Sequence, residues 1–133
     1  MNTKTQEALD AKLVLQKEAS AIQEVANRLI PKDFIRAIDV LLKRDGKIIV
    51  TGIGKSGYVA KKIAAMLCST GSPAAFLHPA EAVHGDLGIH QKGDPVIFLS
   101  NSGSTPELMY LEPKKVFQLK TMNILPRGQS LST

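Results

Sequence analysis

Cysteine is almost absent from this sequence, and tryptophan wholly so. The single cysteine, Cys68, excludes an intrachain disulfide. It sits in an apolar helical stretch (Ile63, Ala64, Ala65, Met66, Leu67), so a packed thiol is expected rather than a nucleophile. Aromatic residues amount to 5% of the chain, too few to interleave with basic side chains as base-stacking platforms do. The net charge is +5, yet its lysines are scattered, and only Lys114, Lys115 and Lys120 form a loose group. A small anionic ligand therefore explains the balance better than nucleic acid. No apolar run approaches the roughly 20 residues that span a bilayer. The first residues, Met1-Asn-Thr-Lys-Thr-Gln-Glu7, are polar and include an acid, so no secretion signal is expected and the cytoplasm is the expected compartment.

What is present is the composition of an ordinary globular chain, 44% hydrophobic and 22% charged. Its length suits one domain. From about Thr3 to Leu29, the residues Leu9, Leu13, Ile22, Val25 and Leu29 recur at mainly three- and four-residue spacings and predict an amphipathic helix. Pro31 ends it or opens the next, which Phe34, Ile35, Ile38, Leu41 and Leu42 mark as far as Arg44-Asp-Gly46. Two helices ahead of the first strand need partners for their apolar stripes. One is expected on the sheet and the other on a second copy of the chain, hence a homo-oligomer.

The centre of the sequence is Lys47-Ile-Ile-Val-Thr-Gly-Ile-Gly-Lys-Ser-Gly57. Ile48, Ile49 and Val50 read as a strand buried on both faces, as in a parallel sheet. Gly52, Gly54 and Gly57 then form a turn, and a helix is predicted from about Tyr58 to Ser69. A helix opening after such a turn favours an anion at its start. The nucleoside-triphosphate loop is excluded because Ile49 stands where its first glycine belongs. Gly52-x-Gly54-x-x-Gly57 matches the dinucleotide fingerprint, but that site also uses an acid at the end of the second strand. Here the strand Pro73-Ala-Ala-Phe-Leu-His78 ends in histidine and proline, and the nearest acid is Glu81. A dinucleotide-binding enzyme is thus a weaker alternative, and a simple structural turn is another.

A third strand is expected over Pro95–Ser100, followed by Asn101-Ser-Gly-Ser-Thr-Pro-Glu107, with Pro106 in the first turn of a helix. This order of elements predicts a three-layer αβα fold with a parallel, Rossmann-like sheet. Both polar turns follow strands, so both emerge at the carboxyl edge, where such folds bind ligands. Ser56 from one and Ser100, Ser102 and Thr105 from the other would surround one phosphate. Taken singly, each is equally an ordinary turn or cap residue.

Three motifs carry a resemblance to a known family: Thr51-Gly-Ile-Gly-Lys-Ser-Gly57, His78-Pro-Ala-Glu-Ala-Val-His-Gly-Asp-Leu-Gly88 and Ser100-Asn-Ser-Gly-Ser-Thr-Pro-Glu107. In this order and spacing they resemble the sugar isomerase (SIS) domain of arabinose-5-phosphate isomerases, over about residues 5 to 113. The resemblance implies an aldose–ketose isomerase interconverting ribulose 5-phosphate and arabinose 5-phosphate, tetrameric and free of a redox cofactor, on the route to the sugar acid of lipopolysaccharide or capsule. It places the catalytic lysine on Lys55 and a catalytic glutamate on Glu107, with His78 and His84 lining the substrate pocket and Gly71 and Ser72 in a substrate-contacting turn. Phosphate contacts of the wider superfamily fall on Ser56, Ser100, Asn101, Ser102 and Thr105.

The chemistry asks for these residue types. An enediol isomerisation needs a base at the carbon and a cation or donor at the oxygen where charge develops. Glu107 suits the first role and Lys55 the second, and either histidine, His84 among them, is a candidate to assist ring opening. His78, His84 and Asp86 invite a metal, but a third convincing ligand is lacking and the spacing fits no standard site, so no metal is expected.

Beyond Pro113 the family pattern stops. The expected organisation is an SIS domain over 1–113, with a helical lead-in over 3–45, and an atypical tail over 114–133. The later strands, a second catalytic glutamate and a catalytic histidine are missing, and Thr121–Leu125 is a candidate fourth strand. A sugar-phosphate-binding module without catalysis is therefore the alternative to an isomerase.

Overall fold

The computed structural model describes residues 3–111. The strand expected over 121–125 and the tail over 114–133 lie outside them. The chain divides into two compact units, one up to Arg36 and one from Ala37 onward.

In the first unit, α1 (Thr3–Arg28) matches the helix that the apolar spacing predicts. None of its residues is buried. Leu15, Ile22 and Val25 remain 66%, 72% and 60% exposed. Proline at position 31 opens α2 (Pro31–Leu42), where its fixed φ and missing N–H suit a first turn. No helix among the described residues is long and apolar enough to cross a membrane.

The second unit carries the sheet. Its strands β1 (Ile48–Gly52), β2 (Ala74–Leu77) and β3 (Val96–Leu99) are parallel in the order β2-β1-β3. Ile48 pairs with Ala74 and Thr51 with Leu77, while Ile49 pairs with Val96 and Gly52 with Leu99. All five residues of β1 are buried, as a central parallel strand demands.

Alternation along β1 feeds two cores. Ile48 and Val50 pack with Ala60 and Ala64 of α3 (Lys55–Ser69), and Leu41 from α2 joins that side. Ile49 packs on the other face with Leu77, with Ala82 of α4 (Pro79–Val83), and with Leu111, which follows α5 (Pro106–Tyr110). Helices on both faces of a parallel sheet make the expected three layers.

Two local expectations are corrected. The helix predicted from Tyr58 begins at Lys55, so the motif lysine and serine already lie in its first turn. Between β2 and β3 the chain forms α4 and a 3₁₀ turn (Asp86–Ile89). Cys68 is exposed rather than packed. It continues the Ala60–Ala64 stripe by one turn but stands level with the first residue of β2, where its thiol donates to the Ala74 carbonyl at 3.1 Å.

A buried carboxylate pins β3 to the entry of β1. Asp94 is 2% exposed. It accepts from the Lys47 N–H at 2.9 Å, from Lys47 Nζ at 2.7 Å and from the Gln91 N–H at 3.0 Å. Burial pushes its pKa up, but these hydrogen bonds and the Lys47 charge outweigh that and hold it below the usual value.

Candidate functional site

Strand order decides where ligands meet this sheet. The chain passes from β1 to β2 on one side and returns to β3 on the other, so the connections diverge between β1 and β3. In open parallel sheets ligands bind at such a switch point, beyond the carboxyl ends of the strands. The register Gly52↔Leu99 ends the two strands side by side. The glycine turn after β1 and the serine turn after β3 therefore emerge next to each other, at the rim expected from the sequence.

The glycine turn is shaped by close approach. A Cβ on Gly57 would stand 2.8 Å from the Gly52 carbonyl oxygen, and one on Gly52 would stand 3.1 Å from the Leu99 carbonyl oxygen. Gly54, the N-cap of α3, has φ 59°, a backbone that favours glycine. No side chain caps α3. The N–H groups of Gly57 and Tyr58 bond to the Ile53 and Gly54 carbonyls, which leaves those of Lys55 and Ser56 at the open helix end. That end, with its positive dipole, favours an anion. Ser56 is half-buried beside it, and the Lys55 side chain is exposed.

The serine turn is internally bonded. Gly103 N–H donates to Ser100 Oγ at 2.9 Å, Ser104 N–H donates to Ser102 Oγ at 3.2 Å, and Ser100 Oγ lies 3.3 Å from Thr105 Oγ1. Those two amides are thus taken. Hydroxyl hydrogens, rather than these N–H groups, are what the turn offers an anion. Asn101 and Ser102 are exposed, while Ser100 and Thr105 are half-buried. Pro106 opens α5, and Glu107 lies exposed in its first turn.

His78 closes β2 and caps α4, its Nδ1 accepting the Ala80 N–H at 3.2 Å. An Nδ1 used as acceptor puts the proton of the neutral ring on Nε2, so His78 presents a donor to anything beyond it. It lines a cavity of about 180 Å³ together with Gly54, Gly57, Tyr58, Lys61 and Phe76. His84 is exposed at the end of α4. Among the described residues no group of three or more His, Cys, Asp and Glu side chains could hold a metal ion.

Lys55, Ser56, His78, Ser100, Asn101, Ser102, Thr105 and Glu107 thus follow the carboxyl ends of the three strands. Gly71 and Ser72 do not join them. Helix α3 has 15 residues, about 22 Å of length, and carries the chain back to the amino edge. There the Pro73 carbonyl accepts the N–H of Ile48, the first residue of β1. Within one chain the Gly71-Ser72 turn therefore stands at the opposite end of the strands from the two polar turns.

Two contributors escape sequence reasoning. Thr51 is fully buried and donates from Oγ1 to the Leu77 carbonyl at 2.6 Å, tying the ends of β1 and β2 together behind the rim. A buried threonine at a strand end is the available signal. Lys61 stands 5.1 Å from the Phe76 ring centroid and 5.8 Å from that of Tyr58, and only the position of β2 beside α3 reveals it.

Known proteins resemble this chain in sequence and fold. The SIS domain family matches residues 41–121. An uncharacterised protein of Rickettsia prowazekii is 56% identical over 98 residues, covering 74% of this chain and 30% of that protein. The arabinose 5-phosphate isomerase KdsD of Pseudomonas aeruginosa is 52% identical over 96 residues, covering 72% of this chain and 29% of that protein. Among solved structures, an Escherichia coli CFT073 protein in complex with arabinose 5-phosphate superposes with a TM-score of 0.78 at 42% identity, covering 87% of this chain and 62% of that one. The chain spans about 30% of the length of these curated relatives. A family match over more than half of the sequence, on a fold whose two polar turns meet at one rim, makes this chain a member of the SIS domain family.

Proposed function

We propose that the chain carries the sugar-phosphate site of an aldose–ketose isomerase acting on ribulose 5-phosphate and arabinose 5-phosphate. The observation that carries this reading is the pairing of β1 with β3, which sets the open start of α3 beside the serine hydroxyls. Phosphate is held there by the N–H groups of Lys55 and Ser56 and by the hydroxyls of Ser56, Ser100, Ser102 and Thr105, with Asn101 alongside. Removing a proton from C1 of the ketose leaves an enediolate charged at O2; the hydroxyl proton of O1 passes to O2, and returning the carbon-bound proton to C2 gives the aldose. Glu107 takes and returns the proton. The Lys55 ammonium stabilises the oxygen that becomes negative, and His84 assists opening of the ring. The reaction needs no redox cofactor.

The SIS domain occupies 1–113 in this reading, and the protein works in the cytoplasm, supplying a sugar acid of the cell surface. A second copy covers exposed apolar side chains of α1, where Leu15, Ile22 and Val25 would each leave water.

A binding module without turnover is the second reading. It is favoured by the exposure of Lys55, His84 and Glu107, since proton transfer profits from a desolvated site, while the phosphate turn is already formed. A coupled assay with arabinose 5-phosphate separates the two. The isomerase reading expects turnover that Lys55→Ala abolishes while binding persists. Calorimetric binding without turnover supports the module, and no binding of arabinose 5-phosphate overturns both.

A further inference from the structure

The outward face of α3 carries positive charge up to the rim. Lys55 and Lys62 stand seven residues apart, about 20° short of two full turns, so they share one face of the helix. Val59 lies between them on that face and Met66 follows one turn beyond. All four are exposed, whereas Gly57, Ala60 and Ala64 on the other side are buried. Lys61 stands beside the row, its ammonium 5.8 Å from the Tyr58 ring centroid and 5.1 Å from that of Phe76. No acidic residue occurs in α3. Among the described residues, none of these three lysines belongs to an ion pair, so their charge adds to the positive end of the helix dipole. Lys62 lies about 10 Å along the helix from Lys55. Its ammonium is thus placed to attract an approaching dianion rather than to hydrogen-bond a bound one.

We infer that this face of α3 is the approach path of the phosphate, and that Lys62 speeds capture of a dianionic ligand by the rim. This rests on the sugar-phosphate reading above. A charge acting at a distance stabilises the encounter while it forms, and so raises the association rate. Dissociation depends instead on the contacts broken at the rim. Selection follows from this difference, because a phosphorylated sugar is drawn in and the same sugar without its phosphate is not.

The test uses the full chain at about pH 7.5, where a phosphate monoester is mostly dianionic. Calorimetry gives the dissociation constant of arabinose 5-phosphate and phosphorus NMR line shapes give its dissociation rate, so the association rate follows from the two. At about 10 mM ionic strength, Lys62→Gln is expected to slow association about threefold and Lys62→Glu about tenfold, with dissociation within about twofold of the parent. Lys62→Arg is expected to keep the parent rate. At about 1 M salt, where charges act over only about 3 Å, the differences should vanish. Lys92→Gln removes the same charge from an exposed turn before β3, at the amino edge of the sheet, and is expected to slow association by less than about 1.5-fold. If Lys62→Gln associates at the parent rate, or Lys92→Gln slows association as much, the inference is wrong and the sugar-phosphate reading stands. A deficit that lies in dissociation or persists at high salt means direct contact or a damaged rim, and it also overturns the inference. If the parent chain binds no arabinose 5-phosphate, both readings fail together.

Discussion

At the scale of single residues, His78 shows how a structural duty constrains a chemical one. Its Nδ1 holds the first turn of α4 through the Ala80 N–H, so the ring can give a hydrogen bond from Nε2 but cannot accept one there without losing the cap. Asparagine and aspartate both cap helices well, yet only asparagine also has N–H groups to donate. His78→Asn and His78→Asp are therefore both expected to keep the thermal midpoint of the parent. Affinity for arabinose 5-phosphate should fall by about tenfold in the aspartate variant and clearly less in the asparagine variant, as calorimetry would read. Equal losses in the two would mean that His78 does not donate to the ligand. The sequence His78-Pro79 carried half of this, since proline at a first helical turn is a familiar signal. The cap remained hidden because histidine is an uncommon capping residue.

At the scale of elements, the junction of β1 and α3 is a backbone-on-backbone contact. The helix begins three residues before the expected Tyr58 because Gly57 lets its first turn press on Gly52. Helical periodicity placed the start where apolar residues resume, and glycine's poor helix propensity hid the earlier turn. Gly57→Ala would set a methyl 2.8 Å from the Gly52 carbonyl oxygen, a contact that only movement of α3 relieves. A loss of about 1–3 kcal/mol in urea unfolding is expected, with weaker phosphate binding because the open helix end moves with α3. A variant as stable as the parent would show that the junction yields easily. The three described strands were legible, since short apolar runs bounded by turn residues such as glycine and proline are strand signals. The short α4 and the 3₁₀ turn were not, because five- and four-residue pieces have too little periodicity to read. Cys68 misled for a related reason: its apolar neighbours indicated a helix face, but not where the sheet ends beneath that face.

At the scale of the whole molecule, the parallel sheet and the shared rim followed from the order of elements, whereas the clamp at the sheet's other end did not. Lys47 and Asp94 are far apart in sequence, and neither belongs to a motif. Their union shows only once β3 lies beside β1. Asp94 is held below its ordinary pKa in the folded chain. Its contribution is therefore fully present above the unfolded value near 3.8 and disappears as pH falls through the folded-state value. Asp94→Asn is expected to cost about 2 kcal/mol at neutral pH. In urea titrations the gap between parent and variant should narrow as pH drops below about 4. A gap unchanged down to pH 2 would mean that the carboxylate charge is not what holds the clamp. The opposite rim has a different legacy. With Ser100 and Ser102 already bonded to the amides of Gly103 and Ser104, an arriving anion meets a finished surface. The chain entropy of that loop was surrendered during folding. On the proposed reading, capture there would wait on encounter and orientation rather than on ordering of the loop, and differences in residence time would separate good ligands from poor ones.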